Sequence, residues 1–167
     1  ISEECKNAEI SIAYQNGEQQ VILNGENVTA YIRKEEVGNM ASATSVYPKV
    51  REKLVELQKE LAKKSNVIMD GRDIGTCVLP DAQVKIYLTA SVQTRAKRRY
   101  DELKEKGVSC NIEEIQKDIE DRDYRDMHRE MSPLKQAEDA VLLDSSELNI
   151  DEVVLAIEKI CKEKGIV

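Results

Sequence analysis

The sequence predicts an α/β fold: a parallel sheet flanked by helices, with a small antiparallel β insertion near the start. Three observations carry this. The first thirty residues alternate apolar and polar side chains around Asn-Gly pairs. From about residue 66 onward, short apolar runs alternate with amphipathic helical stretches, the signature of buried strands joined by helices. The 167 residues, 41% hydrophobic and 34% charged, suffice for one domain with a sizeable core.

Ile10, Ile12 and Tyr14 alternate with polar residues, as do Val21 and Leu23, and Asn16-Gly17 lies between the runs. That is a β-hairpin signal, because Asn and Gly tolerate the positive φ a two-residue turn needs. A third extended piece, Thr29 to Ile32, is expected after Asn24-Gly25. Val37, Met40, Ala41 and Thr44 fall at helical spacing, and Pro48 suits the first turn of a second helix. Val50, Leu54, Leu57 and Leu61 form its apolar stripe. Val67-Ile68-Met69 reads as a short buried strand ending at Asp70, and Val84 to Leu88 as another. Ser91 can cap a helix that Gly107 ends. A helix carrying Ile112, Ile115 and Ile119 follows, then a buried strand Ala140 to Leu143. A last helix buries Val153, Val154, Ile157 and Ile160. Phe and Trp are absent, so Val, Ile, Leu, Met and a few Tyr must build the core.

The net charge of −7 argues against a broadly cationic nucleic-acid surface, though clustered arginines can still receive a small anion. No run approaches the ~20 apolar residues of a membrane span, and no signal-peptide pattern is seen. Cys5, Cys77, Cys110 and Cys161 lack metal-ligand or redox spacing, and His128 is the single histidine. A structural zinc site is therefore not expected, and the thiols read as reduced and cytoplasmic. The chain opens on Ile1 rather than Met, which reads as a fragment or a processed chain.

Ligands of open α/β sheets bind beyond the carboxyl ends of the strands. Asp70-Gly71-Arg72-Asp73-Ile74-Gly75-Thr76 follows an apolar run and combines carboxylates, an arginine and glycines. A strand-end Asp can hold Mg2+ directly or through water, and Arg72 can fork onto a phosphate. The alternative is a charged turn with glycines for geometry. A second constellation is Arg122-Asp123-Tyr124-Arg125-Asp126-Met127-His128-Arg129. If the preceding helix continues through it, Arg122, Arg125, Asp126 and Arg129 share roughly a 100° arc beside Ile112, Ile115 and Ile119. Charges that extend an apolar stripe leave the core side for a ligand site. The alternative is a salt-bridged surface helix. Arg95, Arg98 and Arg99 read by themselves as a solvated face, and His128 as a surface histidine.

Asp70-Gly-Arg-Asp-Ile-Gly-Thr, Leu79-Pro-Asp-Ala, Arg122-Asp-x-x-Arg-Asp-x-x-Arg and Ser132-Pro-Leu resemble, in order, the bacterial cytidylate kinases. Asn39-x-x-Ser42 and Tyr47-Pro-x-Val-Arg51 are similar to that family too, so the resemblance covers essentially the whole chain. It implies the P-loop nucleoside monophosphate kinase fold, with residues 1–65 as the CMP-binding region. Residues 66–167 would then be the rest of the core domain, including a helical lid at about 118–133. It implies transfer of the γ-phosphoryl group of ATP to CMP or dCMP, with Mg2+ accompanying ATP, by a monomer acting on neither nucleic acid nor membrane. Residue by residue, it implies cytosine contacts from Ser42, Arg51 and Asp73, and an acceptor-phosphate grip from Arg72 and Arg129. Arg122 and Asp126 would reach the sugar and phosphates, so that Arg122, Asp126 and Arg129 form the catalytic set. Asp70 would sit in the Mg2+ shell, and Arg98 and Arg99 on the ATP side.

One departure stands out. The family begins with a strand and a Gly-Lys-Ser/Thr loop, and no such motif occurs here. The expectation is that this chain alone is inactive and lacks a central strand. The competing readings are a nucleotide-binding or interaction module of the same fold without catalysis, and a kinase for another monophosphate such as UMP or AMP.

Overall fold

A computed structural model describes residues 3–130 and 132–166; the side chains of Glu4, Glu35, Asn39 and Ser42 also lie outside the described residues. The chain divides into two compact units, Ile1–Met69 and Asp70–Val167.

In the first unit, β1 (Ile10–Gln15) and β2 (Glu18–Leu23) form the expected antiparallel hairpin, with Ile12 opposite Val21. Asn16 and Gly17 both take positive φ, 55° and 82°, as a two-residue turn matched to strand twist requires. Asn24 and Gly25 repeat it, and β3 (Glu26–Asn27) pairs with β2 at once. The third strand is therefore two residues long and ends before Thr29, where the sequence predicted it to start. The reason is local. Asn27 Oδ1 accepts from the Thr29 N–H at 3.0 Å and its hydroxyl at 2.7 Å, an Asx turn that bends the chain out of the sheet. The Thr29 hydroxyl then accepts the Val21 N–H at 2.8 Å, taking the place of a ladder carbonyl.

α1 (Glu35–Thr44) and α2 (Pro48–Lys64) follow, with Pro48 in the first turn of α2 as expected. Val50 is buried, while Leu54 of the predicted stripe stands exposed. The predicted strand at Val67–Met69 is absent. This segment is irregular, and Ile68 is fully exposed. Among the described residues no strand lies beside it to accept its ladder, and an unpaired strand has no reason to persist.

In the second unit, β4 (Ile86–Thr89) and β5 (Val141–Asp144) pair in parallel, Leu88 opposite Leu143. The crossover holds α3 (Val92–Glu105) and α4 (Ile112–His128), which pack on each other, and α5 (Ile150–Glu163) follows β5. The helix starts are legible. The Ser91 hydroxyl accepts the Thr94 N–H, Asn111 accepts the Glu113 N–H, and Asn149 with Glu152 forms a reciprocal capping box. Gly107 takes φ 71° just past α3. Val78, Ala90 and Ala96 are the buried apolar residues of this unit. The strands were expected to be buried, yet Leu88 and Leu142, which the register puts on opposite faces, are both more than half exposed, so neither face of the pair is fully covered. Among the described residues no helix is long and apolar enough to cross a membrane.

The Asp70–Thr76 segment runs into a wide turn over Ile74–Val78. The Val78 and Leu79 N–H groups reach back five residues to the carbonyls of Asp73 and Ile74, at 3.3 and 2.7 Å. Leu79-Pro-Asp-Ala closes this as a tight turn, Ala82 N–H to Leu79 C=O at 3.1 Å. Lys85 ties that turn to the approach of β5, donating to the Pro80 carbonyl and to Asp139 at 2.7 Å. The same hydrogen bond holds the Asp139 carboxyl below its ordinary pKa. Lys85→Met, which keeps the stem and removes the ammonium, is expected to cost about 1–2 kcal/mol in urea unfolding.

At the end of β5 the Ser146 hydroxyl, at 2.6 Å, and then its N–H, at 2.9 Å, donate to Asp144 and hold that carboxyl below its ordinary 3.8. Because the folded pKa is depressed, the contribution is complete above 3.8 and is lost as pH falls through the folded value. Asp144→Asn is therefore expected to flatten the fall in stability below that pH, measured by denaturant melts from about pH 5 to about pH 2.

Candidate active site

α4 continues as one helix through the arginine-rich segment, as the convergence argument required. Its half-buried residues run Ile115, Gln116, Ile119, Asp123, Asp126, so the two carboxylates extend the inward stripe. They lie three residues apart on one face. Their side chains are only 16% and 14% exposed, which marks them as more than solvated surface acids.

Four arginines meet these two aspartates. Arg72, from the loop before the wide turn, places Nε 3.2 Å from Asp126 Oδ2 and Nη1 3.5 Å from Asp123 Oδ1. Arg95 of α3 donates through Nη2 to Asp123 Oδ2 at 2.6 Å. Arg129, just past α4, places Nη1 3.7 Å from Asp126 Oδ1, and Arg122 places Nε 3.9 Å from Asp126 Oδ2. Guanidiniums from three parts of the unit thus gather on two partly covered carboxylates.

The chain after α4 folds back to hold Arg129 in place. Its Nε donates to the Ser132 carbonyl at 2.7 Å, and the Leu134 N–H donates to the Asp126 carbonyl at 2.8 Å, filling an otherwise open acceptor at the helix end. Ser132 takes φ 51° to make the reversal. Ser132-Pro-Leu is thus the turn that returns the chain against the cluster. Arg125 is exposed, and His128 sits at the helix end with Nδ1 2.8 Å from the Tyr124 carbonyl and its ring stacked on Tyr124.

The remaining expected residues are placed as follows. Asp70 is exposed at the start of its loop, and Asp73 is half-buried, its carbonyl receiving the wide turn. Arg51 is half-buried in the first turn of α2, and Ser42 lies on α1 with its side chain outside the described residues. Arg98 is committed elsewhere. Its Nη2 donates to the carbonyls of Ser145 at 2.6 Å and Leu148 at 3.1 Å, tying α3 to the loop after β5. Arg99 pairs with Glu102 at 2.8 Å on the surface of α3. Among the described residues no three His, Cys, Asp or Glu side chains gather as a metal site.

A family model described as "Cytidylate kinase" matches residues 2–163. The chain belongs to the cytidylate kinase family. Among curated relatives it is similar to the cytidylate kinase of Lactobacillus gasseri, 53% identical over 155 residues, which is 93% of this chain and 67% of that protein. The cytidylate kinase of Enterococcus faecalis is 49% identical over 161 residues, 96% of this chain and 71% of that protein. That of Streptococcus pneumoniae (strain Hungary19A-6) is 54% identical over 144 residues, 86% of this chain and 65% of that protein. The chain therefore spans about two thirds of the length of the cytidylate kinases it matches.

Sequence reading missed two members of the cluster. Asp123 was passed over between its arginines, although its spacing from Asp126 puts both on one helix face. Arg95 was read as part of a solvated face, and only its position one turn after the Ser91 cap, beside the sheet end, could have marked it. Asp126→Ala leaves Arg72, Arg122 and Arg129 without their shared carboxylate. A loss of about 1–3 kcal/mol is expected in denaturant melts, larger at low salt than at high.

Proposed function

We propose that this chain carries the acceptor side of a cytidylate kinase, binding CMP or dCMP for phosphorylation by ATP. The observation that carries the reading is the gathering of Arg72, Arg122 and Arg129 on half-buried Asp123 and Asp126, in a chain matched to the family along residues 2–163. Arg72 and Arg129 hold the acceptor phosphate, and Arg122 with Asp126 holds the sugar and the transferring group. Ser42, Arg51 and Asp73 read the cytosine edge, whose amino donor and ring acceptors an Asp–Arg pair can satisfy.

In the reaction a phosphate oxygen of CMP attacks the γ-phosphorus of ATP while the bond to the β-phosphate bridging oxygen breaks, giving CDP and ADP. Mg2+ supplies charge neutralisation on the phosphates when bound, and Asp70 would hold it through water. The protein's work is positioning and neutralising charge on the transferring group. The segment at about 118–133 acts as a lid whose arginines close on the phosphates and exclude water as a competing acceptor. On this reading the protein is a cytoplasmic monomer that handles free nucleotides.

The 167 residues contain no Gly-Lys-Ser/Thr loop, so a polypeptide of these residues alone is proposed to bind CMP without turning it over. Two measurements test the reading. Thermal melts with CMP, dCMP, UMP and AMP are expected to show the largest upward shift for the cytidine nucleotides, and equal shifts for all four would defeat the cytosine assignment. A coupled ADP-release assay on the isolated polypeptide is expected to show no CMP-dependent turnover, and robust turnover would refute the proposed inactivity.

A further inference from the structure

Asp123 belongs to no role so far assigned, yet it makes the shortest ion pair of the cluster. Its Oδ2 receives Arg95 Nη2 at 2.6 Å, a short charge-assisted hydrogen bond. Arg95 is itself anchored, since its Nε donates to the Ala90 carbonyl at 3.0 Å, and Ala90 is a buried residue directly after β4. The result is a strut that runs from the end of the sheet, through Arg95, to Asp123. The other oxygen of Asp123 then faces Arg72 Nη1 at 3.5 Å.

Arg72 needs such support. It sits in an irregular loop that neither helix nor strand geometry holds. Its guanidinium is oriented by two carboxylates from successive turns of α4, Asp126 at Nε and Asp123 at Nη1. Among the described residues Nη2 has no protein partner, and the side chain is 35% exposed. Two fixed contacts on a planar group leave its remaining donor edge with one direction. Remove Asp123 and a single contact at Nε remains, about which the plane can turn.

We propose that Asp123, braced by Arg95, is a positioning residue that aims the free edge of Arg72 at the acceptor phosphate. This rests on the acceptor-site reading above. Its signature is the phosphate increment, the ratio of CMP to cytidine affinity, because Asp123 acts on the phosphate-binding group and on no base contact. A merely structural residue would weaken both ligands together and leave the ratio unmoved.

Isothermal titration of the chain and of Asp123→Asn with CMP and with cytidine reads this ratio. The asparagine variant is expected to bind CMP about tenfold more weakly and cytidine equally, so the increment falls about tenfold. Asp123→Glu is expected to recover part of it. Arg95→Lys keeps the charge but loses the fork that joins Ala90 to Asp123, and is expected to lower the increment in the same direction. It also serves as the test should Asp123→Asn fail to fold. An increment unchanged within about twofold in the folded variants overturns the proposal, whether or not overall affinity drops. If the unaltered chain binds CMP no better than cytidine, both this proposal and the acceptor-site reading fall. If it binds CMP well and only the variants' ratio stays put, this proposal falls alone.

Discussion

The arrangement of the second unit hangs on two carboxylates, Asp123 and Asp126, held half-buried on one face of α4. Guanidiniums from the 70–76 loop, from α3, from the C-terminal half of α4 and from just past its end converge there. Without the acids the convergence would be self-defeating: two unit charges ~5 Å apart at an effective dielectric of ~20 repel by about 3 kcal/mol. With too many acids the site would be neutral and indifferent to phosphate. Asp123 and Asp126 each take more than one of these arginines, which lets the cluster assemble. A lysine set could not do this as well, because each guanidinium can give one edge to a carboxylate and keep another for a ligand.

α3 shows how one helix can brace a site through side chains that reach different elements. Arg95 and Arg98, three residues apart, reach in different directions, one to Asp123 on α4 and one to the carbonyls of Ser145 and Leu148 after β5. Each of these joins a helix to the carboxyl end of the parallel pair, where Ala90 and Ser145 are buried. Ser145 adds to the same junction by donating its hydroxyl to the Thr89 carbonyl at 2.9 Å. The sheet end is thereby fixed to α4 through side chains, and the loops around it inherit a rigid frame.

The elements that local chemistry decides were legible in the sequence. Asn16-Gly17 gave its hairpin, Pro48 and Ser91 gave their helix starts, and Gly107 gave a helix end, because each depends on nearby residues alone. Continuity of α4 through Arg122–His128 was also readable, since nothing in that stretch breaks a helix. Failures came where the outcome depended on distant partners or on a competing side chain. Val67–Met69 has the composition of a strand but no neighbouring strand among the described residues, and Thr29 was drawn out of the sheet by Asn27. Arg95, Arg98 and Arg99 occupy similar positions in the helical pattern. Their different fates were settled by Asp123, the 145–148 carbonyls and Glu102, two of which lie dozens of residues away.

The distances within the cluster also grade its members. Arg95–Asp123, at 2.6 Å, is a short charge-assisted hydrogen bond, and is backed by a second bond to the main chain. The ion pairs made by Arg72, Arg122 and Arg129 are longer, from 3.2 Å at the edge of the hydrogen-bond range to 3.9 Å. Arg95 is therefore the member that stays with the frame. Arg72 is held by a second carboxylate and Arg129 by the Ser132 carbonyl at 2.7 Å, so Arg122, more than half exposed and 3.9 Å from Asp126, makes the loosest ion pair. A single helix face in this way gathers ion pairs of graded tightness, from a hydrogen-bonded strut at Asp123 to a loose contact at the rim.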